Sequence, residues 1–346
     1  MGRDYHEFAW HFRALADAQR EGKLVFVLGA GVSKPHDLPD WSRLLCDLLL
    51  NSGRLPRLQT RSTEHEDIDK NLERERKAVL EILNVMAPDP LIQGAIARAA
   101  YPQAQWPRAL HEQLWREHKG SGTSDVLQRI GRMVVDASTS HKDAHVSVLT
   151  FNYDDLLELQ MKHALQLQGM DDSLLTSVAT EEEFERTWLT PGIYVYHLHG
   201  FLGGKDTPPD SKSETVLDAD SYVPVLSGNH WSWRCMDRVL TGSGQSSLFI
   251  GLSLADPSLR LVLTRRARWR TPMTAVYLAP CPVLPDVRER DVEEETSVAD
   301  SRVIAMMYRA LMDIYAAVLD ELYLVCYHLT SWDEISHILR TVEEGK

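Results

Sequence analysis

Cysteine is scarce in this chain. Cys46, Cys235, Cys281 and Cys326 are scattered over 346 residues with no C-x-x-C pair. That spacing suggests neither a disulfide framework nor a cysteine zinc site, and it leads us to expect a cytoplasmic setting. Long apolar runs are missing as well. No stretch approaches the length of a membrane span, and the opening "MGRDYHEFAW" has no secretory apolar core. With His6 at the sixth position, Gly2 does not begin a myristoylation signal. Positive charge is in deficit: 37 Lys and Arg stand against 50 Asp and Glu, a net charge of -13. A broad, sequence-independent nucleic-acid surface needs the opposite balance, although an acidic chain can still dock on a basic protein. Internal repeats and low-complexity tracts are also lacking.

What is present is ordinary for a chain with a real core: 44% hydrophobic and 25% charged residues. Residues 4–21 have the pattern of a lead-in helix. Short apolar runs, bounded by glycine or polar punctuation, predict strands in Lys23–Gly31, His145–Phe151, Ile193–Gly200, Ser247–Ser253, Thr274–Ala279 and Leu322–Leu329. Helical spacing separates them in Pro39–Asn51, Asp154–Gln166, Trp231–Leu240, Asp256–Arg270 and the stretch after Ser331. Residues 52–142 are charged and helical in pattern, broken by prolines, and read as a helical insertion or small lobe. The acidic stretch 285–300 reads as a solvated loop, and the basic run Arg265–Arg270 as a solvated helix end. Strands alternating with helices predict an α/β fold: a Rossmann-like, doubly wound parallel sheet.

Four predicted strands end in polar or glycine-bearing sequence. Gly29-Ala30-Gly31-Val32-Ser33 follows the first, where glycines let backbone approach a phosphate and a following helix N-terminus adds partial positive charge. By itself it is equally a tight strand-to-helix turn, since neither the third glycine of a dinucleotide loop nor a Walker lysine follows. "LTFNYDDLLE" places Asn152 and Asp154 at the second exit, where an amide and a carboxylate suit ribose hydroxyls. Its bland alternative is a helix cap by Asp154 or Asp155. His197-Leu198-His199-Gly200 ends the third. Strand alternation puts both histidines on one face, and Gly200 favours His199 as the rim residue. Two histidines without a clear third ligand make a poor metal site, whereas a single His suits proton transfer. Gly251 and Ser253 end the fourth. Ligands of open α/β sheets bind at such a rim, so the four together carry more than any one.

The ordered set "GAGVS", "TFNYDDLLE", "YHLHG" and "FIGLSLADPSL", with "LPDWSRLL" and "TVLDADSY" between, resembles the sirtuin superfamily, specifically bacterial SIR2-like NADase domains of antiphage defence. The similarity runs through about residues 22–343. It implies one SIR2-like domain over 1–346, with a Rossmann-like NAD-binding core in 22–51 and 143–343 and a reduced small module in 201–247. Carried over by position, Gly29, Ala30, Gly31 and Ser33 match the loop that holds the NAD diphosphate. Asn152 and Asp154 match the residues at the nicotinamide ribose, His199 the catalytic histidine, and Gly251 and Ser253 the loop for the adenosine end. His197 has no place in the motif and is read as a packing or supporting residue.

Two departures bear on activity. The zinc cysteine pairs of deacylating sirtuins are absent, since 201–247 contains only Cys235, so no zinc is expected. The glycine loop also continues as Ser33-Lys34-Pro35-His36-Asp37-Leu38-Pro39-Asp40-Trp41, unlike the deacylase pattern. The resemblance therefore implies NAD+ as substrate and water as acceptor, with Asn152 positioning ribose or water, His199 as general base and Asp154 fixing the ribose. A non-catalytic NAD or ADP-ribose sensor stands as the alternative, and a protein deacylase or ADP-ribosyltransferase as a third reading. Family analogy further implies control by homo-oligomerisation or by a separately encoded partner: an ATPase, an Argonaute-type protein or a nucleotide-processing enzyme.

Overall fold

The strand Leu24–Leu28 (β1) is buried along its whole length because its side chains feed two cores at once. Leu24, Phe26 and Leu28 join one apolar cluster, and Val25 and Val27 join the other. Such two-sided burial selects a continuous apolar run over alternation, and it is the mark of a parallel sheet covered on both faces. The computed structural model describes residues 5–56, 65–118, 124–141, 143–207, 215–242, 244–268, 274–279, 315, 317–329 and 331–345. The expected acidic loop 285–300 and the end of the basic run, Trp269 and Arg270, lie outside them.

Among the described residues six further strands join the sheet: β2 (His145–Thr150), β3 (Leu175–Val178), β4 (Gly192–His197), β5 (Ser246–Ile250), β6 (Ala275–Ala279) and β7 (Val325–His328). The order is β3-β4-β2-β1-β5-β6-β7, and every pairing is parallel. The chain thus winds away from β1 in both directions, which is the expected doubly wound α/β architecture. β3 is the strand without a sequence signal. Its four residues, Leu-Thr-Ser-Val, lie at the sheet edge and are only partly buried, so no apolar run marks them.

The helices are α1 (Tyr5–Arg20), α2 (Trp41–Asn51), α3 (His65–Met86), α4 (Pro90–Ala99), α5 (Trp106–Trp115), α6 (Asp125–Ser140), α7 (Leu156–Leu167), α8 (Glu181–Thr187), α9 (Ala219–Leu226), α10 (Trp231–Thr241), α11 (Pro257–Arg268) and α12 (Asp333–Glu344). Within 52–142, α6 departs from the reading of a separate lobe. It packs on α1, α7, α12, β2 and β4, burying Leu127, Ile130, Met133 and Val134. It is the crossover helix that a parallel β1–β2 pairing demands. At the α6–α7 crossing a Cβ on Gly131 would stand 3.1 Å from that of Gln160, so a small residue permits the close approach.

The remaining helices of that stretch are held by charge as well as by packing. Arg76 of α3 makes a bidentate pair with Asp47 of α2, with both contacts at 2.8 Å, and reaches Glu117 beyond α5 at 2.6 Å. Its other contact is Glu73, while Glu117 also pairs with Arg43. α4 meets the stretch before α9 so closely that a Cβ on Gly94 would come 2.0 Å from the Leu217 carbonyl. Among the described residues no helix is long and apolar enough to cross a membrane.

Candidate active site

The four sequence motifs end β1, β2, β4 and β5, which stand side by side in the order β4-β2-β1-β5. Because all four run parallel, their C-terminal ends form one rim. The fold itself therefore brings together residues far apart in the chain. A pocket there is walled on one side by Leu38, Pro39, Trp41, Leu44 and Leu114, from the loop after β1, α2 and α5. Ala30, Ser33, Phe151, Asn152, Asp154 and His199 line the rest, together with Tyr153.

Ser33 is the hub of the polar floor. Its hydroxyl donates to Asp154 Oδ2 at 2.9 Å and accepts from Asn152 Nδ2 at 3.0 Å. Asn152 is also fixed by its backbone: its N–H donates to Thr150 Oγ1 at 3.1 Å, and its carbonyl lies 2.9 Å from His197 Nδ1. With Nδ2 committed, Asn152 Oδ1 is left buried and without a hydrogen-bond partner among the described residues. An orphaned buried acceptor in a pocket wall is costly unless a ligand or water satisfies it.

Asp154 takes both roles open to the aspartates. Its Oδ1 accepts the Leu156 N–H at 3.2 Å, whereas Asp155, at the N-cap of α7, makes no side-chain cap bond. Of the two aspartates that could have capped the helix, it is therefore Asp154, which also lines the pocket, that accepts the backbone N–H. Burial pushes the Asp154 carboxyl up to about 6; the Ser33 and Leu156 bonds oppose that rise and nearby Glu158 adds to it.

The histidines separate because β4 stops at His197, which ends the strand alternation that would have kept the pair together. His197 is fully buried. His199 is at the rim, 15% exposed, with Gly200 after it at φ +99°. His199 Nε2 lies 3.0 Å from Asp256 Oδ2 and 3.0 Å from the Tyr222 hydroxyl, while Phe151 meets the ring edge-on at 4.9 Å. Nδ1 has no partner among the described residues. Asp256 and Tyr222 escaped the sequence reading. "ADPSL" carries the ordinary signal of a helix start, and Asp256 does accept the Leu259 N–H at 2.7 Å and the Ser258 hydroxyl at 2.5 Å. Burial would raise its pKa, but His199 and those two donors outweigh burial and lower it.

Gly29, Gly31 and Gly251 meet one another rather than open space. Gly29 N–H donates to Ile250 O and Gly31 N–H to Gly251 O, both at 3.0 Å. A Cβ on Gly29 would stand 2.6 Å from Gly251 O, and Gly251 itself has φ +71°. These amides are engaged in the β1–β5 junction, so the two glycines let the loops touch rather than supply donors to a ligand. The element that follows is a 3-10 turn, Ala30–His36, in place of the expected helix N-terminus; Pro35 lies inside it and Asp37 ends it at φ 61°. Ser253 is exposed, its hydroxyl accepting the Ala255 N–H at 3.3 Å, and it does not line the pocket. Among the described residues, no group of three or more His, Cys, Asp and Glu is placed to hold a metal ion.

Residues 146–299 match the family model described as the SIR2-like domain. No curated protein matches the chain. The matched stretch takes in Asn152, Asp154, His199, Gly251 and Asp256, and SIR2-like domains typically use NAD. That match, on an all-parallel sheet whose rim gathers Ser33, Asn152 and His199, supports a SIR2-like domain in this chain.

Proposed function

We propose that the protein is an NAD+ glycohydrolase, releasing nicotinamide and ADP-ribose. The observation that carries the reading is Asn152 Oδ1, a buried acceptor without a partner in the same pocket wall as His199. Nicotinamide leaves NAD+ as a neutral ring, so its departure needs no acid. The chain has to orient the ribose, admit water and accept one proton.

Each task has a residue suited to it. Ser33 fixes the Asn152 carboxamide so that Oδ1 can accept from a ribose hydroxyl or a water. His199 Nδ1 is the ring atom left to take the proton, with the Tyr222 hydroxyl and Asp256 Oδ2 each 3.0 Å from Nε2 on the far side of the ring. Asp154 anchors Ser33 and stands beside the ribose position. The apolar wall of Leu38, Trp41 and Leu44 suits the flat nicotinamide ring. Missing zinc cysteines support water, rather than an acyl-lysine, as acceptor. A role as effector of an antiphage system, acting in the cytoplasm under a partner protein or through self-assembly, extends this reading by family analogy.

Asn152 gives the sharpest test. Asn152→Ala should fold and release nicotinamide at least roughly a hundredfold more slowly than wild type. Undiminished release would contradict the assignment. A ligand bound tightly and recovered intact from wild type would favour a sensor instead.

A further inference from the structure

Below the pocket lies a buried pair the proposed reaction does not use. His197 Nε2 is 2.6 Å from Glu158 Oε1, and both side chains are almost wholly buried. Ser177 donates to the same carboxylate oxygen at 2.9 Å, and Phe201 packs on the imidazole at 4.3 Å. The other ring nitrogen, Nδ1, is 2.9 Å from the Asn152 carbonyl. A carbonyl only accepts, so Nδ1 must carry a proton. A second proton then lies between Nε2 and Glu158, whichever atom holds it. Burial alone would lower the His197 pKa; Glu158 and the Asn152 carbonyl overcome that and raise it.

Such a pair carries a desolvation penalty at a position that a leucine could fill without one. Its geometry has one outlet toward the pocket, the Asn152 carbonyl, at the point where the chain leaves β2. We propose that His197 is a positioning residue: its Nδ1–H holds the Asn152 backbone, and Glu158 fixes the proton and the ring so that this bond is always made. Asn152 is thereby clamped at three points, by Thr150 on its backbone N–H, His197 on its backbone carbonyl and Ser33 on its side-chain Nδ2. Oδ1 is the atom left to meet the substrate.

The kinetic arm of the test rests on the glycohydrolase reading. Two polar substitutions separate positioning from mere filling of the core. His197→Asn places an amide N–H where Nδ1 was, toward Asn152. His197→Gln places it where Nε2 was, toward Glu158. Asn should keep kcat within about threefold, whereas Gln should lose tenfold or more with KM changed less than about twofold. Equal losses in the two, or rescue by Gln alone, overturn the proposal. If neither variant folds, the wild-type protein decides by long-range nitrogen–proton correlation of the His197 ring. A proton on Nδ1 supports the proposal, and a bare Nδ1 overturns it. Should wild type fail to cleave NAD+, only the glycohydrolase reading falls. The Asn152 carboxamide resonances then replace the rate: kept in the Asn variant and displaced in the Gln variant if His197 positions, displaced alike in both if it does not.

Discussion

The Ser33 hydroxyl accepts from the Asn152 carboxamide at 3.0 Å, joining the end of β1 to the end of β2 across the floor of the pocket. That bond decides which end of the amide is left without a partner in the pocket wall. Ser33→Ala removes it and leaves both Asn152 Nδ2 and Asp154 Oδ2 short of a partner. Nicotinamide release should fall by about tenfold or more. Stability should drop by about 1–3 kcal/mol, read from denaturant midpoints. Wild-type turnover in a stable Ser33→Ala protein would mean that the carboxamide is oriented by other means.

Asp154 makes stability depend on pH in an unusual direction. Its carboxyl sits at about 6 in the fold, above the ordinary carboxylate value near 3.8. Between those two values the folded state holds a proton that the unfolded chain has released, so raising the pH through this window favours unfolding. The penalty is complete above the folded pKa, at about 3 kcal/mol, and vanishes below the unfolded one. Asp154→Asn should remove this contribution and flatten the fall in stability between roughly pH 4 and 6. Melting temperatures across that range check it, and parallel pH profiles for the two proteins would contradict it.

Asp256 has two jobs that a single substitution can separate. Asparagine still accepts the Leu259 N–H at the start of α11, so Asp256→Asn should cost under about 1 kcal/mol of stability. It removes the negative charge beside His199, and turnover should fall roughly tenfold to a hundredfold. Asp256→Ala should lose both. Equal turnover in wild type and Asp256→Asn would separate this carboxylate from the chemistry.

The glycine junction gives a prediction about binding. A methyl group on Gly251 would stand 2.8 Å from Val32 N, at a backbone φ of +71° that side chains resist. Gly251→Ala should destabilise by about 2 kcal/mol or more and shift the loop carrying Ala30 and Ser33. Titration with ADP-ribose should then show weakened affinity. Unaltered affinity and stability would mean that β1 and β5 do not need this close contact.

Legibility in the sequence followed burial. β1, β2, β4, β5 and β6 each announce themselves because both faces are covered and most of their side chains are apolar or small. β3 does not, because an edge strand of four residues needs no such run. α6 hides among the helices of 52–142: its buried stripe looks like that of any amphipathic helix, and only the parallel pairing of β1 with β2 requires it as a crossover. In the site, Ser33, Asn152, Asp154 and His199 all stand out at strand ends and do meet in one pocket. The supporting groups do not. Glu158 occupies the first turn of α7, where a glutamate ordinarily faces water, and Asp256 carries the signature of a cap. Each has a local explanation that is complete by itself, and only the three-dimensional arrangement adds the histidine it touches. The glycines illustrate the converse. Their place in the loop is legible, but the sequence cannot show that their N–H groups are taken by β5.

The most direct measurement is chromatography of NAD+ incubated with the purified chain, wild type beside His199→Ala. The account predicts nicotinamide and ADP-ribose from wild type and at least roughly a hundredfold less from the variant. Equal product from both would contradict it, because the histidine proposed to take the proton would then be dispensable.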